Sequence, residues 1–167
     1  MIAPDSLSFR PADDADAGAL SELVRRNVVP ATMPGWTTAA IDRLLGENAP
    51  DALRSAIKDA SFSQLCLDHE NRIVGYVYCK SPRAISLVVV EPSVQRCGIG
   101  SALLRRALDH IAGVAPDQSV VEVNATEYSM PFYRRHAFYP ISELFDYEGC
   151  RMVRMALWRR NPALCQG

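Results

Sequence analysis

The sequence predicts an α/β protein of the mixed α+β kind, a single domain over residues 1–167 whose central mixed sheet of about six to seven strands is flanked by helices. Two observations predict it. First, the strand-like runs Phe62–Leu67 and Ile73–Lys80 are separated only by a polar turn, so two strands pair as a hairpin. Second, from residue 85 onward strands and helices alternate. The combination argues against a doubly wound sheet built only of alternating units.

The first 60 residues are predicted to hold one short strand and then three helices. Asp13 or Asp14 caps the first helix, Thr37 caps the second, and the segment between these helices contains Pro and Gly and is a loop. The strand is predicted over residues 7–10, the first helix runs from its cap to about Asn27, and the other two helices span residues 38–45 and 50–59.

The segment Ile85–Leu108 is the centre of the chain. Ile85–Val90 is a continuous apolar run, typical of a strand buried on both faces, and Pro92 ends it because proline has no N–H for a ladder. Ile99–Ile111 repeats apolar residues at helical spacing. A strand, a Gly-containing loop and a helix N-terminus together form an anion site, since the free N–H groups of the first turn point outward.

The remaining elements are strands with one short helix between them. The predicted bounds are Val120–Ala125 for a strand, Tyr128–His136 for the helix, and Phe138–Phe145 and Arg151–Trp158 for the last two strands. The last strand is expected to be exposed, which makes a homodimer plausible.

Composition excludes several classes of protein. The hydrophobic content of 49% and charged content of 22% are typical of a soluble globular domain, and the net charge of −1 gives no reason to expect nucleic-acid binding. No apolar run approaches the ~20 residues of a membrane span, and no secretory signal is visible. The five cysteines are scattered without C-x-x-C and the three histidines lie far apart, so we expect no metal site and reduced thiols in a cytoplasmic protein.

Two motifs resemble a known family. Gln95-Arg96-x-Gly98-x-Gly100, after an apolar strand and a proline, is similar to the acyl-CoA motif of GNAT-type N-acetyltransferases. Asn124-Ala125, then Pro131-Phe132-Tyr133 and Ala137-Phe138, is similar to a second motif of that family, with Ala137 where the family usually has Gly. The motifs occur in the family's order and spacing, and the resemblance covers roughly residues 60–158.

The resemblance implies the GNAT fold and acetyl-CoA as the acyl donor. In the family the central strand separates from the next strand, and the pantetheine arm fills the gap like an added strand, with an amide at about Val88 or Val89 polarising the thioester. From the residues, Gly98 and Gly100 would let backbone N–H groups approach a pyrophosphate, and Arg96 adds charge. The residues expected to contact the cofactor are Leu87, Val88, Val89, Val90, Gln95, Arg96, Cys97, Gly98, Ile99, Gly100, Ser101 and Asn124.

Tyr133 is the predicted catalytic residue, because it matches the family tyrosine placed beside the thioester sulfur. A phenol has a pKa near ~10 and a thiolate near ~8.5, so Tyr133 can share or deliver a proton to the leaving group. The acceptor amine needs a base, and the stretch where several family members carry a Glu, residues 83–87, has no carboxylate. Glu122, on the strand face of Asn124, is one candidate; the others are Glu91, Glu127 and His136.

These observations predict acetyl transfer from acetyl-CoA to a primary amine of a small molecule or protein, by direct attack in a ternary complex, because no cysteine has a base nearby in sequence. Met33 and Trp36 are candidates for contacting the acceptor, although Trp36 is also explained as a packing residue. The alternatives are a regulatory module that binds acyl-CoA without turnover, motivated by the missing strand carboxylate, and a nucleotide-binding domain. The Gly-Lys-Ser/Thr of a P-loop and the third glycine of a dinucleotide fingerprint are missing here.

Overall fold

The computed structural model describes residues 7–29 and 32–159, in which the chain forms eight strands and five α-helices. The strands are β1 Ser8–Pro11, β2 Phe62–Leu67, β3 Ile73–Cys79, β4 Leu87–Val90, β5 Val120–Ala125, β6 Tyr139–Pro140, β7 Phe145–Tyr147 and β8 Cys150–Trp158. The helices are α1 Ala17–Asn27, α2 Thr38–Glu47, α3 Pro50–Asp59, α4 Ile99–Val114 and α5 Met130–Arg135.

The first four strands form an antiparallel sheet in the order β1-β2-β3-β4, called here the N-terminal sheet. Its two faces are covered by different helices because its strands alternate in side-chain direction. One face packs on α1 and α3 through Leu65, Tyr76 and Val89, and the other packs on α4 through Cys66 and Val77. Gly75 lets α4 approach closely, since a Cβ there would lie 2.8 Å from side-chain atoms of Ile99 and Leu103.

The last four strands form the C-terminal sheet, in which β8 lies between β5 on one side and β6 and β7 on the other. A two-residue turn joins β7 to β8. Glu148 and Gly149 have φ angles of 51° and 83° there, as in the hairpin turns whose twist matches that of the strands.

The two sheets meet at one parallel bridge between Ala84 and Glu122. Ile85 N–H donates to Glu122 O at 2.9 Å, and Glu122 N–H donates to Arg83 O at 2.9 Å. Past this point β4 pairs only with β3 and β5 only with β8, so the described strands β4 and β5 diverge and leave a gap. Helix α4 spans both sheets on one side, where Leu103, Leu104 and Ile111 join the core of both.

The structure confirms the mixed α/β fold class, and four details of the prediction are wrong. The single sheet is two four-stranded sheets, and its parallel part is reduced to one bridge. The predicted strand Phe138–Phe145 is two separate pieces, because Pro140 cannot donate to a ladder and Ser142 instead bonds Arg154 N–H through its hydroxyl at 2.9 Å. The last strand is flanked on both sides, so the edge on which we based a homodimer lies inside the sheet.

The fourth error concerns β4, which is not buried on both faces. Only Val89 is buried, and its three neighbours Leu87, Val88 and Val90 are half-buried. The cause is the position of β4 beside the gap, where no strand covers its open edge. Among the described helices, none is long and apolar enough to cross a membrane.

Candidate functional site

The gap between β4 and β5 exposes main-chain groups of one strand. The pairing of Gly75 with Val90 continues to Glu91, whose N–H donates to Val74 O at 2.9 Å. Because hydrogen-bonded and non-hydrogen-bonded pairs alternate in an antiparallel ladder, Leu87 and Val89 bond to β3 while the main-chain groups of Val88 and Val90 face the gap. The N–H of Val88 therefore faces the gap, whereas that of Val89 bonds to β3. The sequence indicated both as candidates for polarising the thioester.

A run of free amides lies at the wide end of the gap. The first backbone bond into α4 runs from Ala102 N–H to Gly98 O, at 3.0 Å. Before it, the six N–H groups from Arg96 to Ser101 donate to no acceptor within the described ranges. Arg96 and Gly98 adopt positive φ angles of 67° and 86°, which curl the loop before the helix. Consecutive amides in such a curl, at the positive end of a 16-residue helix, form an anion-binding concavity.

The two glycines of this loop have different roles. Gly98 needs its left-handed conformation, and a Cβ added there would meet nothing within 4 Å. Gly100 is helical, and its missing Cβ faces the protein, where it would lie 3.3 Å from Phe132 Cε2 and 3.5 Å from Val90 Cγ2. The interpretation that both glycines make room for a ligand therefore does not fit Gly100, and for Gly98 it stays a prediction. Gly100 instead allows the first turn of α4 to pack on Phe132.

The side chain of Gln95 is occupied by protein partners. Its amide nitrogen donates to Asn27 Oδ1 at 3.0 Å and to Val90 O at 3.2 Å, and its amide oxygen accepts from the Tyr128 hydroxyl at 3.4 Å. These partners belong to α1, β4 and the segment after β5. Gln95 thus anchors the loop to α1, to β4 and to the segment after β5. Residue identity alone did not reveal this role.

Ser101 and His136 form a pair beside the free amides. Ser101 Oγ lies 2.9 Å from His136 Nε2, and the His136 ring packs at 4.9 Å from the ring of Phe132. Burial lowers the pKa of His136, and the positive charges of Arg135 and Arg105 lower it further. His136 is therefore neutral at pH 7, and its Nε2 is hydrogen-bonded to the hydroxyl of Ser101.

Tyr133 is buried, at 5% exposure, between two aromatic rings. Its ring contacts those of Phe132 and Phe138 edge-on, with centroid distances of 5.0 and 5.5 Å. No described group bonds its hydroxyl. Burial raises the pKa of Tyr133 above its ordinary value, so its phenol stays protonated and can donate a hydrogen bond.

Glu122 and Asn124 lie on one face of β5, opposite the core residues Val121, Val123 and Ala125. Asn124 is exposed and Glu122 is half-buried beside the bridge. Neither side chain bonds a partner among the described residues. Both are therefore available to a ligand at the narrow end of the gap.

The other candidate bases are paired. Glu91 accepts from Arg26 at 2.7 Å, and Glu127 lies 3.6 Å from Arg151. Cys66 and Cys79 are buried, which raises their thiol pKa values to about 11 and about 12, and Cys97 is exposed in the loop. Cys165 lies outside the described residues.

The loop between α1 and α2 lies against the start of β8. Trp36 Nε1–H donates to Arg151 O at 2.9 Å, which fixes the half-buried indole against β8. Met33 is half-buried and packs with the α1 cluster. Two cavities of about 320 and 330 Å³ lie elsewhere, one beside Asp68 and Glu91 and one between α5 and the 140–144 segment.

A family model described as an acetyltransferase (GNAT) domain matches residues 36–158. That range contains the gap, the amide run, Glu122, Asn124 and Tyr133. No protein of curated function matches the chain by sequence.

Solved structures share the fold at low identity. A GCN5-related N-acetyltransferase from Rhodopseudomonas palustris superposes with a TM-score of 0.78 at 15% identity, covering 95% of this chain and 99% of that one. The PaiA N-acetyltransferase from Thermoplasma acidophilum, solved in complex with coenzyme A, gives 0.72 at 15% identity, with coverages of 92% and 99%. A mutant of the spermidine N-acetyltransferase SpeG from Vibrio cholerae gives 0.63 at 18% identity, with coverages of 92% and 94%.

Proposed function

Because the chain belongs to the GNAT acetyltransferase family, we propose that it transfers an acetyl group from acetyl-CoA to a primary amine by direct attack in a ternary complex. The observation that carries the proposal is the run of six free amides at the N-terminus of α4, beside a gap lined by main-chain groups. The amides suit a pyrophosphate, and the gap suits an extended arm that pairs like a strand. The relative from Thermoplasma acidophilum was solved with coenzyme A.

In this proposal the free N–H groups of residues 96–101 hold the pyrophosphate, and Arg96 adds a positive charge. Acetyl-CoA supplies an activated thioester. The Val88 N–H, which faces the gap, donates a hydrogen bond to the thioester carbonyl and stabilises negative charge that develops there. Asn124 lies across the gap and orients the arm through its free amide.

Tyr133 donates a hydrogen bond to the sulfur that leaves. Its raised pKa makes complete proton transfer to a thiolate of pKa ~8.5 unfavourable, so its role is to stabilise the thiolate through a shared hydrogen. This role needs no proton acceptor for Tyr133 itself, which fits the lack of a described partner for its hydroxyl.

Glu122 takes the proton from the acceptor ammonium, directly or through a water. A lysine-like amine has a pKa near ~10.4, so the acceptor enters the site as an ammonium and must lose a proton before its nitrogen can attack; the Glu122 carboxylate accepts that proton. Glu122 is favoured over Glu91 and Glu127 because its carboxylate has no described partner while theirs are paired.

The first experiment is a thermal melt with acetyl-CoA, CoA, NAD or ATP in excess. A ligand at ~100 times its dissociation constant adds about 2.7 kcal/mol of stability, a shift of several degrees. We expect a shift with the two CoA species alone. No shift with either would refute donor binding, and a shift with NAD or ATP alone would assign the loop to another nucleotide.

Turnover separates an enzyme from a regulatory module that only binds acyl-CoA. We expect amine-dependent release of free CoA thiol across a panel of primary amines. Binding of acetyl-CoA without acetylation of any small-molecule or protein amine would favour the module.

The four described cysteines are free, which supports the cytoplasm as the compartment.

A further inference from the structure

Arg154 is an exposed cation of β8 whose backbone is fixed and whose side chain is free. Two hydrogen bonds fix its backbone: its N–H donates to Ser142 Oγ at 2.9 Å, and its carbonyl accepts from Ile141 N–H at 2.9 Å. Within the described residues its guanidinium pairs with no carboxylate. Arg154 therefore presents an unpaired positive charge from a strand position that hydrogen bonds hold in place.

The ladder places this charge beside the proposed site. Arg154 is the direct cross-strand partner of Asn124, and Ala156 is the partner of Glu122. Cross-strand partners share a face and lie about 5 Å apart, and diagonal neighbours about 7–8 Å apart. Arg154, Asn124 and Glu122 thus form one polar group on the face opposite the α4 core.

Glu122 and Arg154 are opposite charges at diagonal positions, yet they form no ion pair with each other. Two other arginines near β8 are paired: Arg43 bonds Glu148 at 2.9 Å, and Arg151 lies 3.6 Å from Glu127. Arg83, beside the bridge, also has no described ion pair, but it lies outside the β5–β8 ladder that places Arg154. A free anion and a free cation separated by one amide side chain match a ligand that carries both charges.

We propose that the acceptor is an amine that also carries an anionic group, a carboxylate or a phosphate, which Arg154 binds while the amine lies at Glu122. This inference rests on the proposed function, because it names the acceptor class of the same site. A guanidinium offers paired donors to either anion, so the shared chemistry is an oxyanion near the reacting nitrogen.

The test compares matched acceptors by kcat/KM for CoA release. The pairs are lysine and lysine amide for a carboxylate, and phosphoethanolamine and ethanolamine for a phosphate. We expect the anionic member of one pair to be preferred by at least about tenfold, since a charged hydrogen bond is lost in the other. The pair that shows the preference identifies the anion.

Variants then assign the preference to one side chain. Arg154→Met should remove the preference and leave kcat/KM for the neutral members within about twofold, and Arg154→Lys should restore part of it. Arg54→Met is the control, because it removes one exposed positive charge from α3, far from the site. A preference that survives Arg154→Met, or equal rates for both members in the wild type, would overturn the inference and leave acetyl transfer intact.

A binding measurement covers the case in which no amine is acetylated. Titration calorimetry of the same acceptors into CoA-loaded protein should show selective binding of an anionic amine that Arg154→Met abolishes. That result with no turnover would refute the proposed reaction and support the anion site. Equal binding of charged and neutral members would refute the anion site.

Discussion

The backbones of Ala84 and Glu122 lie side by side in a parallel bridge, and within residues 7–29 and 32–159 this is the one ladder contact between the two sheets. The bridge uses main-chain groups only, so the Glu122 side chain can be changed without breaking it.

Glu122→Gln should lower kcat by about 10²-fold at pH 7, because a general base contributes on that scale. The amide cannot accept the ammonium proton, but raising the pH toward the amine pKa of ~10.4 supplies neutral amine from solution. We therefore expect the ratio of wild-type to variant kcat to shrink between pH 7 and 9. A constant ratio, or a loss of acetyl-CoA affinity, would argue against Glu122 as the base.

Tyr133→Phe should lower kcat about tenfold or more while the dissociation constant of acetyl-CoA changes little. The variant keeps the ring contacts with Phe132 and Phe138 and removes only a hydroxyl that has no described partner. The melting temperature of the free protein should stay the same or rise slightly, which separates a catalytic loss from unfolding. Turnover equal to that of the wild type would remove Tyr133 from the mechanism.

Gly75→Ala should destabilise the fold by about 1–3 kcal/mol, the usual range for overpacking a core. Its Cβ would lie 2.8 Å from Ile99 Cγ2 and Leu103 Cδ1 and push α4 off the sheet. Gly113→Ala is the matched control, since a Cβ there meets nothing within 4 Å and a helical Gly→Ala change gains about 0.5–1 kcal/mol. Urea unfolding measures both; equal effects would contradict the close approach of α4.

Ala137→Gly should stabilise the protein by up to about 1 kcal/mol. Ala137 has a φ of 61°, a left-handed conformation that costs an alanine roughly 1–2 kcal/mol and a glycine little. The greater freedom of glycine in the unfolded chain removes about 0.4–1 kcal/mol of that gain. Chemical denaturation of the two proteins checks the sign, and a destabilised variant would show that Ala137 makes a packing contact worth more than the strain.

Asp16→Asn should destabilise the protein by about 1–3 kcal/mol at pH 7, toward the lower value because Arg10 is 40% exposed. Arg10 donates to both carboxylate oxygens at 2.7 Å, and these bonds hold the pKa of Asp16 below its ordinary value despite burial. A lowered pKa means that the stabilisation is complete above the unfolded pKa of ~3.9 and is lost as the pH falls toward the folded pKa.

Urea melts at pH 7, 5 and 3 test this dependence. The difference between wild type and Asp16→Asn should be the same at pH 7 and 5 and smaller at pH 3. Asp14→Asn, which removes an exposed carboxylate paired with Lys58, should change stability by less than about 1 kcal/mol at each pH.

The sequence predicted the elements that depend on local pattern. The bounds of α3, β2 and β5 match residue for residue, because each has clear periodicity and a clear start or stop signal. The sequence did not predict that β6 and β7 are separate strands, because whether residues 142–144 continue the pairing with β8 depends on tertiary contacts rather than on propensity.

The candidate site was predicted only as far as its motifs reach. Gly98 and the predicted start of α4 indicated a loop with free N–H groups, and the N–H groups of residues 96–101 donate to no described acceptor. The partners of Gln95 and the position of Arg154 beside Asn124 depend on which distant elements become neighbours. Strand register sets such pairs, and no single stretch of sequence contains it.

The division of strands between the two sheets also follows the order of the chain. Every strand of the N-terminal sheet lies before residue 91, and every described strand of the C-terminal sheet lies after residue 119. Cleavage in the turn at residues 115–119 would therefore leave each antiparallel ladder complete on one fragment, with α4 on the first. The protein is thus suited to be produced as two fragments that reassemble through the α4 core. Recovery of activity would then report that the two fragments had associated.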